Sequence, residues 1–240
     1  MHRLPAEGRL SLGGWGEFAA TFAVFMLSHA LPARPSLRRP LTRLLGERGY
    51  LLGYSLVSLG VLAWLVAAAG RAPFVLLWPY AAWQAWVPNL AMPVVCLLAA
   101  HGIGAPNPLS FGGTARGFDP SRPGVAAVSR HPLLLAIALW AGAHVVANGD
   151  LAHLLLFGSF AAFAVLAMPA LDRRKRRQLG EDEWRRLAAH TSAWPLAALI
   201  QGRARVTLPG MWRFAAGVLL WIAMLHLHEP VIGVSPFPPG

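Results

Sequence analysis

Cysteine is nearly absent from this sequence, with a single residue, Cys96, among 240. A disulfide framework and cysteine-based metal or iron–sulfur sites need several thiols, so the sequence excludes them. Cys96 lies in an apolar stretch, where a free cysteine usually packs as a small hydrophobic residue.

Charged residues are also scarce. They make up 13% of the chain, against 56% hydrophobic residues. This balance lies outside the usual range of soluble domains. The composition predicts an integral membrane protein, an all-α polytopic helix bundle that forms one domain over residues 1–240.

Acidic residues number 10 against 21 Lys and Arg, which gives a net charge of +11. Nucleic-acid binding would need basic residues on a folded surface, together with aromatic stacking groups or a known motif. In this sequence the basic residues lie between apolar runs. We therefore expect membrane lipid and no nucleic acid among the partners.

Six apolar runs approach the length of about 20 helical residues that a bilayer core requires. They predict about six transmembrane helices, at residues 10–31, 49–69, 76–100, 124–147, 151–171 and 214–227. Pro79, Pro88 and Pro93 predict a kink in the third. The composition of 102–123 predicts a loop, and Asn148-Gly149-Asp150 predicts a tight turn.

Basic residues are distributed unevenly between the loops. Eighteen of the 21, beginning with Arg34, follow the first, third or fifth span, whereas Arg3 and Arg9 precede the first span and Arg71 follows the second. The positive-inside rule then places the basic loops in the cytoplasm and both termini outside. Because no signal-peptide cleavage pattern precedes the first basic loop, we expect a retained first helix in the cell inner membrane.

Among the histidines, His29 lies in an apolar part of the first predicted span and His144 in an apolar part of the fourth. Polar groups inside a membrane are costly, so each is a functional candidate. A low dielectric favours neutral imidazole, whose lone pair can bind metal, and two such rings can ligate a haem. The alternative is that each ring only hydrogen-bonds a neighbouring helix. We expect His29 nearer the cytoplasmic side of the bilayer and His144 deeper in it. If both bind one haem, the haem plane or one of the helices must therefore tilt.

Arg130-His131-Pro132 lies at the membrane edge, at the start of the fourth span. An arginine there can bind phosphate or carboxylate, and the alternative is an interfacial anchor. We interpret the basic run 172–177 as a topology signal that contacts anionic lipid. We interpret His101 as interfacial and assign no chemistry to His153, His190, His226 and His228.

Motifs spread along the chain resemble those of the NnrU family. They are Ser28-His29-Ala30-Leu31, Gly46-Glu47-Arg48-Gly49-Tyr50, Tyr54-Ser55-Leu56, Arg130-His131-Pro132, Leu139-Trp140-Ala141-Gly142-Ala143-His144, Asn148-Gly149-Asp150, Gly180-Glu181-Asp182, Thr191-Ser192 and Gly202-Arg203. The resemblance covers most of the sequence.

That family is named for an association with nitrite and nitric oxide reduction, and it includes by similarity the plant 15-cis-zeta-carotene isomerase, a membrane haem b enzyme. The resemblance implies a haem b with His29 and His144 as metal ligands. It implies either redox-gated cis–trans isomerisation of a polyene, as in carotenoid biosynthesis, or an accessory role with a redox partner in denitrification. Arg130 and His131 would contact haem propionates or position substrate, and Asn148 would shape the turn.

The chain more distantly resembles isoprenylcysteine carboxyl methyltransferases, which also have an Arg-His-Pro motif before a helical hairpin. Those enzymes bind S-adenosylmethionine partly through a glutamate pair, where this chain has Asp172-Arg173-Arg174. Methyl transfer is therefore the second hypothesis. The third is a non-catalytic assembly or regulatory membrane protein.

Overall fold

The computed structural model describes residues 12–30, 35–205 and 210–238. Its helices are α1 (Leu12–Ala30), α2 (Pro35–Arg71), α3 (Ala82–Gly102), α4 (Pro132–Ala147), α5 (Leu151–Leu179), α6 (Glu181–Ala188), α7 (Ala197–Ile200) and α8 (Met211–Ile232). A 3₁₀ turn, Gly124–Ala127, precedes α4. Arg3, Arg9, Arg34 and the ends of the predicted first span lie outside the described residues.

The predicted helical membrane bundle is confirmed, since each of the six predicted spans overlaps a helix. Within the described residues, four helices are long and apolar enough to cross a membrane: Ser36–Arg71, Ala82–Gly102, Leu151–Leu179 and Met211–Ile232. α4 has only 16 residues, and α1 contains the polar Glu17 and His29, which lower its mean hydropathy. The orientation of the helices across the membrane stays a prediction.

Two helices begin later than predicted. α3 starts at Ala82 instead of 76, and the Gln84 side chain accepts a hydrogen bond from the Ala81 backbone N–H (2.8 Å), which caps its first turn. α4 starts at Pro132 instead of 124, because proline at the first helical position lacks only an N–H that would be unpaired there. Arg130 and His131 therefore lie before α4 and not inside it.

The described chain forms two compact units. The first contains the described residues up to Trp78 together with Asp150–Leu156, and in it α1 packs against α2. Glu17 accepts hydrogen bonds from Arg71 Nη2 (2.5 Å) and Trp64 Nε1 (3.4 Å). The acidic side chain within α1 is thus paired with α2.

The second unit contains Pro79–Gly149 and the residues from Phe157 onward. There α3 packs against α4 and α8. The apolar core includes Val95, Leu98, Leu135 and Met168. Cys96 is 1% exposed, so its predicted role as a buried hydrophobic residue is confirmed.

Candidate functional site

Arg130 and His131 are buried at the entrance to α4. Arg130 is 7% exposed and His131 is fully buried. The Asn107 side chain donates to the Arg130 carbonyl (2.9 Å), and the Arg130 N–H donates to the Ser192 carbonyl (2.7 Å). The loop before α4 and the segment after α6 thus hold this pair in place.

The Arg130 guanidinium connects three parts of the second unit. Its Nη1 donates to the Asp172 carboxylate in α5, and its Nε donates to Thr191 Oγ1 (2.8 Å). Its central carbon lies 4.9 Å from the centre of the Trp184 ring in α6, within cation–π range. We call Arg130, His131, Asp172, Trp184 and Thr191 the Arg130 cluster.

Asp172 supplies the negative charge that balances Arg130. Burial lowers the pKa of Arg130 and the nearby positive charges of Arg176 and Arg203 lower it further, whereas Asp172 raises it. An arginine pKa starts so high that the side chain still carries its charge. A buried charge is tolerated when a partner and hydrogen bonds compensate its lost hydration, as they do in this cluster.

Asp172 also contacts His131. The distance between His131 Nε2 and Asp172 Oδ1 is 3.2 Å. If Nε2 donates its proton to the carboxylate, Nδ1 keeps the lone pair. Nδ1 is buried and has no hydrogen-bond partner within the described ranges. The two oxygens of Asp172 therefore contact different residues, Oδ2 contacting Arg130 and Oδ1 contacting His131.

Sequence reasoning misses Asp172, Thr191 and Trp184 as members of this cluster. In the sequence, Asp172 belongs to a basic run whose pattern predicts lipid contact. One feature of the sequence could have indicated its role. Asp172 lies where an apolar run meets five basic residues, and a carboxylate at a membrane edge needs a partner. The predicted contacts of Arg130 and His131 with haem propionates stay a prediction.

His29 lies in α1, partly buried, against aromatic rings. Its Nδ1 is 2.8 Å from the Phe25 carbonyl and 3.2 Å from Ser28 Oγ. The ring centre lies 4.2 Å from that of Phe25 and 6.1 Å from that of Tyr54 in α2. When Nδ1–H donates to the carbonyl, the lone pair of the neutral ring is on Nε2, where a metal can bind.

His144 has the same arrangement in α4. Its Nδ1 is 2.7 Å from the Trp140 carbonyl, and its ring centre lies 5.0 Å from that of Phe157. The Asn148 side chain donates to the His144 carbonyl (2.7 Å) and so closes the last turn of α4. The backbone carbonyl sets the tautomer of this histidine too.

His101, in the last turn of α3, shares this hydrogen-bond geometry, and its predicted interfacial position stays a prediction. It is only 3% exposed, with Nδ1 2.9 Å from the Leu97 carbonyl. Its Nε2 is buried without a hydrogen-bond partner among the residues described. His29, His101 and His144 therefore share a contact between Nδ1 and the carbonyl four residues earlier, and of these three His29 and His144 lie in the motifs of the resemblance.

A bare metal ion and a haem need different numbers of ligands from a protein. Within the portion of the chain that the structure describes, no group of three or more His, Cys, Asp or Glu could hold an ion. Haem iron already has four porphyrin nitrogens and needs only axial ligands from the protein. In His29 and in His144, each taken by itself, the Nδ1 contact with a backbone carbonyl leaves Nε2 as the ring nitrogen that could act as such a ligand.

An apolar cavity of about 550 Å³ lies between α1 and α2 in the first unit. Ser28 and Tyr54, which both contact the His29 ring, contribute to its wall together with Val24, Leu27 and Val57. Its size and apolar lining are typical of sites for small lipid-soluble molecules.

Comparison with known proteins identifies the family. No curated protein and no solved structure matches the chain. Residues 17–236 match the family described as NnrU protein, and this range includes all the helices after α1 and most of α1 itself. The chain therefore belongs to the NnrU family.

Proposed function

We propose that this protein is a membrane haem b protein with His29 and His144 as axial ligands, and that it isomerises a cis double bond of a lipid-soluble polyene. The observation that carries the proposal is the hydrogen bond from each Nδ1 to the carbonyl four residues earlier, which leaves Nε2 free. The family resemblance selects these two histidines over His101.

The surrounding residues have definite roles in this function. Phe25 beside His29, and Trp140 and Phe157 beside His144, limit water at the two rings. The apolar cavity beside His29 favours the polyene over a nitrogen-oxide ligand, because a hydrocarbon gains by leaving water for an apolar wall. When bound, haem supplies an iron centre whose oxidation state controls its ligands.

The first test is a pyridine haemochrome spectrum of the protein purified in mild detergent. We expect haem b in the native chain and at least a tenfold lower haem content in His29→Ala and His144→Ala. His226→Ala is the matched control, since His226 is an exposed histidine of α8 and should keep its haem. His101→Ala should keep haem as well.

Imidazole distinguishes loss of a ligand from loss of the fold. Added imidazole should restore a six-coordinate spectrum in His29→Ala and His144→Ala, because it can occupy the space of the missing ring. A colourless native protein after expression with haem supply, or loss of haem in His101→Ala alone, would refute the ligand assignment. Conversion of 15-cis-zeta-carotene by the reduced protein then tests the isomerase activity.

A further inference from the structure

Gly46 divides α2 into two parts. It has φ 70° and ψ 164°, a backbone region essentially confined to glycine. At about 1.5 Å per residue an unbroken α2 would measure roughly 55 Å, whereas a bilayer core is about 30 Å thick. The part after Gly46 is long enough to cross that core by itself. Residues 36–45, which we call the basic-leucine segment, are therefore not needed for the span.

Leucines and arginines of the basic-leucine segment occupy different faces. At about 100° per residue, its four leucines fall within an arc of roughly 100°, and Arg39 and Arg43 point the opposite way. The leucines are Leu37, Leu41, Leu44 and Leu45, and all are exposed, Leu44 by 80%. Leu41 and Leu45 also line the cavity between α1 and α2, and Leu37 and Leu44 extend this apolar face beyond it without a cover in the described part of the protein.

The structure also shows what joins this segment to the span. Arg38 Nη2 donates to Glu47 Oε1 (2.5 Å), across Gly46. The Arg38 guanidinium carbon lies 5.9 Å from the centre of the Tyr50 ring. Arg38 is thus engaged within the protein, whereas Arg39 and Arg43 are exposed and form no ion pair with any described residue.

We propose that the basic-leucine segment lies in the plane of the bilayer surface and binds anionic phospholipids. Its leucines enter the boundary of the hydrocarbon, and Arg39 and Arg43 contact headgroup phosphates. The occupant is lipid because the segment is covalently continuous with a membrane span, which keeps it at the surface of the same bilayer. Two unpaired arginines complement the negative charge of that surface.

Depth measurements test the position of the segment. Two variants, Leu44→Cys and Arg39→Cys, are labelled with bimane and reconstituted in phosphatidylcholine vesicles that contain phosphatidylglycerol. The label at 44 then lies on the leucine face of the segment and the label at 39 on the arginine face. The native Cys96 is buried and should remain unlabelled. We expect doxyl-labelled lipid to quench the label at 44 several-fold more than the label at 39, and aqueous iodide to show the reverse order.

Gly46→Ala tests the division of the helix. An added Cβ at this position meets nothing within 4 Å, so the substitution acts through backbone preference alone. Because alanine disfavours the φ and ψ of Gly46, we expect weaker lipid quenching at position 44. Unchanged quenching in Gly46→Ala would contradict the role given to this glycine.

Lipid selectivity tests the arginines. Quenching at position 44 by doxyl-phosphatidylglycerol should exceed quenching by doxyl-phosphatidylcholine several-fold, and Arg39→Gln with Arg43→Gln should abolish the difference. Arg185→Gln with Arg186→Gln is the matched control, because these arginines are exposed on α6 and pair with Glu181 and Glu183. Equal quenching by both lipids in the native sequence, or iodide access at 44, would overturn the proposal and indicate a soluble partner or bulk water on this face.

Discussion

Asp172→Asn is expected to lower the unfolding temperature of the detergent-solubilised protein by roughly 10 °C. The amide keeps the shape of the side chain but leaves Arg130 buried without a negative partner. Breaking a buried ion pair in this way costs about 3–5 kcal/mol, and each kcal/mol corresponds to ~2–4 °C in a chain of this size. Tryptophan fluorescence during heating measures the effect, since Trp184 contacts the Arg130 guanidinium.

The matched control is Asp182→Asn, which removes the same charge from an exposed position of α6. It should shift the unfolding temperature by less than about 2 °C, as is usual for surface substitutions. Combining Arg130→Met with Asp172→Asn removes both charges and should recover a large part of the loss. Equal melting of Asp172→Asn and Asp182→Asn would show that Asp172 does not compensate the buried charge.

Gly113→Ala is expected to destabilise the loop before α4 by about 2–3 kcal/mol, the upper end of the usual cost of overpacking. A Cβ at this position would lie 2.3 Å from the Asn107 carbonyl oxygen, a backbone atom that cannot rotate away. Asn107 is 1% exposed and its side chain holds the Arg130 carbonyl. The displacement should therefore reach the Arg130 cluster, and faster limited proteolysis within residues 103–131 would reveal it.

Gly142→Ala is the matched glycine substitution. Its added Cβ meets nothing within 4 Å, and alanine favours a helix interior by about 0.5–1 kcal/mol over glycine. This variant should be cleaved no faster than the native protein. Similar proteolysis of Gly113→Ala and the native chain would mean that the loop can accommodate the extra carbon.

The helical membrane fold could be predicted from sequence because it depends on local composition. Long apolar runs form helices wherever a bilayer excludes water from the backbone. Asn148 marks the end of α4 through its side-chain donor. The predicted start at 124 was wrong, because a helix of only 16 residues is short for a membrane span, although Pro132 has the chemistry of a first helical position. The extension of α2 to Pro35 is not predicted, because a cluster of arginines after an apolar run is typical of a loop as well as of one face of a helix.

The Arg130 cluster depends on contacts between residues far apart in the sequence. Arg130 and Asp172 are separated by 42 positions, and nothing local distinguishes Asp172 from the charges that follow it. Only the packing of α5 and the segment after α6 against the entrance of α4 brings the carboxylate to the guanidinium. The same is true of Gly113, whose proximity to the Asn107 carbonyl follows from the fold of the loop.

His29 and His144 illustrate the division between the two kinds of information. The sequence alone placed both in apolar helices and, through their motifs, selected them among nine histidines. The structure decided how the rings are oriented, because a backbone carbonyl one helical turn earlier accepts from Nδ1 in each. Apolar patterning thus determined which segments form long apolar helices, whereas tertiary packing determined which buried polar groups meet, since a charge in low dielectric is stable only beside a partner that the fold supplies.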